Sequence, residues 1–129
     1  MHRTPILIVD DEPIVRESLQ DWLVDAGYEV QTAQTGEEGL EILKNQEIGL
    51  VILDVRLPGK TGIRVLEEMK AMKPDVKAIV ITAYASPQMR DEAMKLGALQ
   101  YMTKPIVPDK LEQLVRKALS EASSGKKEA

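Results

Sequence analysis

The chain of 129 residues contains no cysteine, and its single histidine is His2. Without cysteine there is no disulfide bond, no thiol chemistry and no cysteine-ligated metal, and one histidine excludes a histidine-rich zinc site. Any metal site in this protein must therefore be built from oxygen ligands.

Long apolar segments are also missing. No run approaches the roughly 20 apolar residues that cross a bilayer, and the five-residue stretch Pro5–Val9 is too short for the core of a signal peptide. A net charge of −4 offers no obvious basic face for nucleic-acid phosphates. We therefore expect a cytoplasmic protein that does not enter a membrane and does not bind nucleic acid directly.

Strand-like and helix-like segments alternate along the chain, five of each. The strand-like runs are Pro5–Val9, Glu29–Ala33, Leu50–Leu53, Ala78–Ile81 and Leu99–Met102. Such alternation is typical of a parallel sheet with crossover helices. Right-handed crossovers then predict an α/β, doubly wound, flavodoxin-like three-layer sandwich, for which 2-1-3-4-5 is a common strand order.

Several residues mark the limits of the helices. Pro13, Pro87 and Pro108 suit first-turn positions, and Thr35 with Glu38 has the spacing of a capping box. The length fits one domain, which we place at residues 1–119. Residues 120–129 lose apolar periodicity and are interpreted as a polar tail or the start of a linker.

Acidic residues follow two of the predicted strands. Asp10 and Asp11 come directly after the first strand, and Asp54 closes the third. If these strands are neighbours, the three carboxylates point into one crevice at the carboxyl edge of the sheet. Mg²⁺ prefers oxygen ligands and commonly joins one or two carboxylates to a phosphate. The alternative is that each aspartate only caps the next helix, although one helix end has no use for two acids in tandem.

Two further side chains stand at the ends of strands four and five. Thr82 would donate a hydroxyl hydrogen bond to an anion in the crevice, and Lys104 would act on it as a point charge. Thr82 could instead be an ordinary strand threonine, and Lys104 could be a solvated lysine. Pro105 follows Lys104, and a cis peptide bond there would fix the direction of the lysine.

Five separated pieces of the sequence form one consistent set. They are Ile6-Leu7-Ile8-Val9-Asp10-Asp11-Glu12, Leu53-Asp54-Val55-Arg56-Leu57-Pro58-Gly59, Ile81-Thr82-Ala83-Tyr84, Gly97-Ala98 with Tyr101, and Lys104-Pro105. In this order they resemble the receiver domains of bacterial two-component response regulators. The resemblance runs from about Pro5 to Leu119.

The resemblance implies a role for each matching residue. Asp54 would accept the phosphoryl group, Asp11 would bind Mg²⁺ directly, and Asp10 would hold metal-bound water. The backbone carbonyl of Arg56 would complete the protein ligands of the metal, and Lys104 would bind the phosphoryl oxygens. A carboxylate nucleophile, a metal and fixed donors are the parts that phosphoryl transfer needs.

The same resemblance implies a switch rather than an enzyme with a separate substrate. The domain would catalyse its own phosphorylation, from a phosphohistidine of a histidine kinase or phosphotransfer protein, and its own dephosphorylation. Thr82 and Tyr101 would be the switch pair, although Tyr101 is equally compatible with an ordinary half-buried aromatic. The output would be read at the face of helix four, strand five and helix five, by an output domain, an effector protein or a second copy of the chain. Arg56 and Tyr84 are bulky and flank the presumed path of water, which predicts slow loss of the phosphoryl group.

Rival families fit less well. A haloacid-dehalogenase-type phosphatase needs Asp-x-Asp after the first strand, a flavodoxin needs a loop rich in Ser, Thr and Gly there, and a P-loop NTPase needs GxxxxGK[ST]. None of these patterns is present. A receiver-like module that docks partners without being phosphorylated stays open as an alternative.

Overall fold

Five strands and five helices alternate along the chain, as predicted. The computed structural model describes residues 5–84 and 86–128, with side chains through residue 120, so His2 lies outside the described residues. The elements are β1 (Ile6–Val9), α1 (Pro13–Asp25), β2 (Val30–Ala33), α2 (Gly36–Asn45), β3 (Leu50–Asp54), α3 (Gly62–Met72), β4 (Lys77–Thr82), α4 (Pro87–Lys95), β5 (Gln100–Thr103) and α5 (Pro108–Glu128).

The strands form one parallel sheet in the order β2-β1-β3-β4-β5, which confirms the predicted doubly wound fold. β1 and β3 are neighbours, with Val9 opposite Leu53. β3 reaches one residue further than predicted, to Asp54, and β4 extends to Thr82. β5 begins and ends one residue later than predicted, because Leu99 N–H bonds to the Ala78 carbonyl (2.7 Å) ahead of the regular ladder.

The central strands are apolar throughout because helices cover both faces of the sheet. Alternate residues of a strand point to opposite faces, so Leu7 and Val9 pack on the side of α2 and α3, whereas Ile6 and Ile8 pack on the side of α1 and α5. These two cores give the three layers of the predicted sandwich, and every residue of β1 and β3 is buried.

Proline begins three of the helices. α1, α4 and α5 start at Pro13, Pro87 and Pro108, as the sequence predicts. At the start of α2, Thr35 Oγ1 accepts the Glu38 N–H (3.1 Å). The Glu38 carboxylate accepts a hydrogen bond from the backbone N–H of Gln34 (2.8 Å). In a regular capping box it would accept from the N–H of Thr35 instead.

The last helix is longer than the apolar pattern suggested. The backbone of α5 remains helical to Glu128, so most of the segment interpreted as a tail or linker is helical, and its separation from the domain at residue 119 stays a prediction. None of the described helices is both long and apolar enough to cross a membrane.

Candidate functional site

Three neighbouring strands end in the same local structure. Asp10 follows β1, Asp54 ends β3 and Thr82 ends β4, and all three side chains are buried. Each side-chain oxygen accepts a hydrogen bond from the backbone N–H two residues later: Glu12 to Asp10 Oδ1 (2.9 Å), Arg56 to Asp54 Oδ1 (3.0 Å) and Tyr84 to Thr82 Oγ1 (3.1 Å). Such turns replace the lost ladder partners and hold the three oxygens at one edge of the sheet.

Lys104 brings the carboxylates together from the exit of β5. Its Nζ donates to Asp54 Oδ2 (3.0 Å) and to Glu12 Oε1 (2.6 Å), and it lies 3.0 Å from Asp10 Oδ2. The lysine side chain is only 10% exposed, so these charges interact with little solvent between them. The peptide bond between Lys104 and Pro105 is cis.

The electrostatics of this cluster are partly balanced. Burial raises the pKa of the Asp10 carboxyl above its usual range, since the hydrogen bond from Glu12 and the nearby ammonium offset only part of the desolvation. Burial alone would lower the pKa of Lys104, but its bonds to Glu12 and Asp54 and the neighbouring Asp10 outweigh that and hold the pKa well above its ordinary value. The lysine is therefore a permanent cation among carboxylates.

The cluster has the donor set of a hard divalent cation. One carboxylate oxygen from each of Asp10, Glu12 and Asp54 lies within 4.8 Å of the others. Asp10 Oδ2 is buried and accepts no hydrogen bond within the described residues, because the contact with Lys104 is poorly aligned. A buried carboxylate oxygen without a donor is costly, and an entering cation would satisfy it. The residues present therefore fit a metal such as Mg²⁺.

The structure brings together most of the residues that the sequence singled out. Asp10, Asp54 and Lys104 are in direct contact, and Thr82 lies at the adjacent strand end. Asp11 is exposed and is not part of the carboxylate group. Tyr101 is half-buried on β5, and its hydroxyl is enclosed without a hydrogen-bond partner among the described residues.

Two residues that contribute to the site were not predicted. Glu12 was quoted only as part of a matching stretch, yet its carboxylate makes the shortest contact to Lys104. Gly62, the first residue of α3, packs directly on the Asp54 carbonyl, where a Cβ atom has no room. The position of Glu12 two residues after Asp10 was a usable signal, whereas the approach of Gly62 depends on tertiary packing.

The arrangement is suited to transfer of an anionic group to a carboxylate. Asp54 offers an oxygen at the end of a rigid, buried strand, and Lys104 can neutralise charge on an incoming phosphoryl oxygen. Asp10 and its neighbours supply oxygen ligands for a cation beside that carboxylate.

The family profile described as the response regulator receiver domain matches residues 6–116. The chain is similar to transcriptional regulatory protein ZraR of Escherichia coli, with 40% identity over 92% of this chain and 27% of that protein. It is also similar to sporulation initiation phosphotransferase F of Bacillus subtilis, with 35% identity over 92% of this chain and 96% of that protein.

Solved structures agree with these sequence matches. A CheY-like receiver domain protein from Methanospirillum hungatei superimposes with a TM-score of 0.93 and 33% identity, covering 96% of this chain and 99% of that chain. The chain thus spans about a quarter of one relative, ZraR, and nearly all of another, the sporulation phosphotransferase.

Proposed function

The chain belongs to the response regulator receiver family, and from that premise we propose that Asp54 takes a phosphoryl group from the phosphohistidine of a histidine kinase or phosphotransfer protein. The observation that carries the proposal is the direct contact of Asp54 with Lys104 beside a second buried carboxylate, Asp10. That grouping combines a nucleophile, a fixed cation and oxygen ligands within one crevice.

The transfer requires no further reactant. An oxygen of the Asp54 carboxylate forms a bond to phosphorus as the bond between phosphorus and the donor's imidazole nitrogen breaks, and the electron pair of that bond remains on the imidazole. Arg56 N–H and Lys104 Nζ already bond to the two carboxylate oxygens and orient them. Lys104 can then turn its third N–H toward a phosphoryl oxygen.

We assign Mg²⁺ as the metal of this site. Asp11, Asp54 and the backbone carbonyl of Arg56 would bind it directly, and Asp10 would hold metal-bound water, as the family resemblance implies. When bound, the metal offsets the negative charge of the carboxylates and the phosphoryl oxygens. Asp11 would reach it only by turning its exposed side chain toward the cluster, whereas Glu12 already has an oxygen there.

Phosphorylation would act on Thr82 and Tyr101. The aspartyl phosphate carries nearly two negative charges and several acceptor oxygens in place of one carboxylate charge, so the Thr82 hydroxyl gains a partner on the side of Asp54. Movement of Thr82 would leave space that the Tyr101 ring occupies, which favours one of two pre-existing conformations. The domain is thus proposed as a switch that catalyses its own phosphorylation and dephosphorylation.

The readout surface is proposed to be the face formed by α4, β5 and α5. Among the described residues of α4 only Ala93 is buried, and the β5 residues are half-buried or exposed, so α4 and β5 leave much of this face accessible. An output domain, an effector protein or a second copy of the chain would bind there once Asp54 is phosphorylated. We also propose that the protein acts in the cytoplasm and that this domain binds neither nucleic acid nor membrane directly.

Phosphorylation of Asp54 can be tested with a small donor. The protein is incubated with acetyl phosphate in the presence of Mg²⁺ or of a chelator, and its intact mass is measured. We expect a gain of one phosphoryl group that requires both Mg²⁺ and Asp54. Asp54→Ala should abolish the gain, while Asp75→Ala, at an exposed aspartate before β4, should leave it unchanged.

Two further variants locate the metal ligands. Asp11→Asn should raise the Mg²⁺ concentration needed for half-maximal phosphorylation about tenfold or more, since even a residue that only supports a metal ligand typically contributes about ten- to a hundredfold to metal affinity, and Glu12→Gln should change it little. The reverse result would assign the ligand role to Glu12. If wild-type protein gains no phosphoryl group under any condition, the chain is a docking module and the proposed chemistry is wrong.

A further inference from the structure

The side chain of Arg16 contacts the backbone at the end of β1, beside the carboxylates of the site. Its Nη1 donates a hydrogen bond to the Asp10 backbone carbonyl, at 2.7 Å. Arg16 is the fourth residue of α1, and long side chains of a helix lean toward its N-terminus, so this one reaches back over the first turn. The contact is half-buried and has a charged donor, which belongs to the stronger class of hydrogen bond.

This contact is one of two hydrogen bonds that hold the backbone on either side of Asp11. Arg16 holds the carbonyl of the peptide unit between Asp10 and Asp11. The Asp10 carboxylate accepts the N–H of the next peptide unit, which joins Asp11 to Glu12, at 2.9 Å. Because a peptide unit is planar, a hydrogen bond at one of its groups limits rotation of the whole unit. Together the two units set the position of the Asp11 Cα atom and the direction of its Cβ atom.

The Asp11 side chain itself is exposed and lies outside the carboxylate group. It can reach a metal in the crevice by rotation about its own side-chain bonds, provided that its backbone is held in the right direction. The start of α1 adds no further support, because Glu12, the N-cap residue, makes no side-chain cap and contacts Lys104 instead. The direction of Asp11 therefore depends on the two hydrogen bonds made at Asp10.

We propose that Arg16 is a positioning residue for Asp11, and that its hydrogen bond to the Asp10 carbonyl orients the peptide unit from which the direct ligand of Mg²⁺ extends. This inference rests on the proposed function, in which Asp11 binds the metal. Arg16 touches neither the metal nor the phosphoryl group. Its loss should therefore change the affinity for Mg²⁺ and leave the rate of phosphorylation at saturating Mg²⁺ unchanged.

Electrostatics alone would predict the opposite change in affinity. Arg16 places a positive charge close to a site for a cation, so removal of that charge should by itself strengthen Mg²⁺ binding. Loss of a residue that orients a metal ligand instead weakens binding, typically by about ten- to a hundredfold. Since the second hydrogen bond still holds the peptide unit between Asp11 and Glu12, we expect a loss of about tenfold, at the lower end of that range. The sign of the change thus separates the two effects.

The test measures Mg²⁺ binding to the unphosphorylated protein. MgCl₂ is added at constant ionic strength, and the NMR shifts of the Asp11 and Glu12 backbone amides give the dissociation constant. Arg16→Met keeps a long side chain without the donor and should raise the dissociation constant about tenfold. Arg16→Lys keeps the charge and a donor and should lie between Arg16→Met and wild type. With acetyl phosphate, the rate at saturating Mg²⁺ should stay within about a factor of two of wild type in both variants, because neither removes a group that reacts.

A double variant tests whether Arg16 acts through Asp11. In the Asp11→Ala background the ligand is already gone, so Arg16→Met should change the dissociation constant by less than about twofold. Arg116→Met makes the same substitution at an exposed arginine of α5 and should leave Mg²⁺ binding unchanged. Midpoints of urea unfolding check that each variant is folded.

Two results would overturn the positioning role. One is an unchanged or lower dissociation constant in folded Arg16→Met, and the other is a full tenfold loss on adding Arg16→Met to Asp11→Ala. Failure of the wild-type protein to gain a phosphoryl group would instead overturn the proposed function, whereas the Mg²⁺ titration would still decide the role of Arg16.

Discussion

The central strands and the edge strand β5 carry the site in different ways. Every residue of β1 and β3 is buried, and these strands end at the carboxylates Asp10 and Asp54. β5 is half-buried or exposed along its length, and it carries Tyr101 and leads to Lys104. The groups that would bind the metal and accept the phosphoryl group therefore stand on rigid supports, while Tyr101, one of the two proposed switch residues, stands on a strand with fewer contacts to break.

The largest expected effect comes from truncating a central strand. Ile52→Ala in β3 should lower the free energy of unfolding by about 2 to 5 kcal/mol, because it leaves a cavity in a fully buried position. Met102→Ala in β5 faces the same core but is half-buried, and it should cost about 1 kcal/mol. Both values are measured from the midpoints of urea unfolding, provided that the dependence of the unfolding free energy on urea concentration stays the same. Equal losses would remove the contrast between the two strands.

The second effect concerns the charge at the end of β1. Burial raises the pKa of Asp10 above its ordinary value of 3.8, so the native state prefers the protonated carboxyl. The stability that this group contributes is fully present below the ordinary pKa and is lost as pH rises through the raised value. Asp10→Asn does not titrate and should therefore gain stability relative to wild type as pH rises toward neutrality.

This comparison is made without Mg²⁺, by urea unfolding at several pH values. Asp75→Asn, at an exposed aspartate, serves as the control and should follow wild type. If Asp10→Asn is instead less stable than wild type at neutral pH, its contact with Lys104 outweighs the cost of burial. Asp10 and Lys104 would then form an ion pair that stabilises the protein, and the buried carboxylate would not lower its stability.

Most of the support for the site could be predicted from the sequence. Alternating elements and apolar strands indicate a doubly wound parallel sheet, and the carboxyl ends of its neighbouring strands must lie together. Once β1 and β3 are neighbours, that topology places Asp10 and Asp54 side by side, while the reach of Lys104 to both depends on its long side chain. The starts of α1, α4 and α5 were predictable because proline is favoured in the first turn of a helix.

What could not be predicted depends on side-chain geometry and on packing between distant residues. The position of Glu12 beside Asp10 was visible in the sequence, but its 2.6 Å contact with Lys104 depends on how the two side chains are oriented across the crevice. The approach of Gly62 to the Asp54 carbonyl, and the stack of Arg56 on Tyr84, arise from the way neighbouring segments meet. The one-residue shift in the bounds of β5 goes with the hydrogen bond from Leu99 N–H to the Ala78 carbonyl, which precedes the regular ladder.

The smallest of these effects tests whether the edge strand, like the end of β1, holds a buried polar atom at a cost in stability. The Tyr101 hydroxyl is enclosed without a partner among the described residues, and such a group costs about 1 to 3 kcal/mol. Tyr101→Phe removes the hydroxyl and keeps the ring, so it should stabilise the protein by about 1 kcal/mol in urea unfolding. Tyr28→Phe, at a half-buried tyrosine of the other core, should change stability little. A loss of stability in Tyr101→Phe would mean that the hydroxyl has a partner in solution.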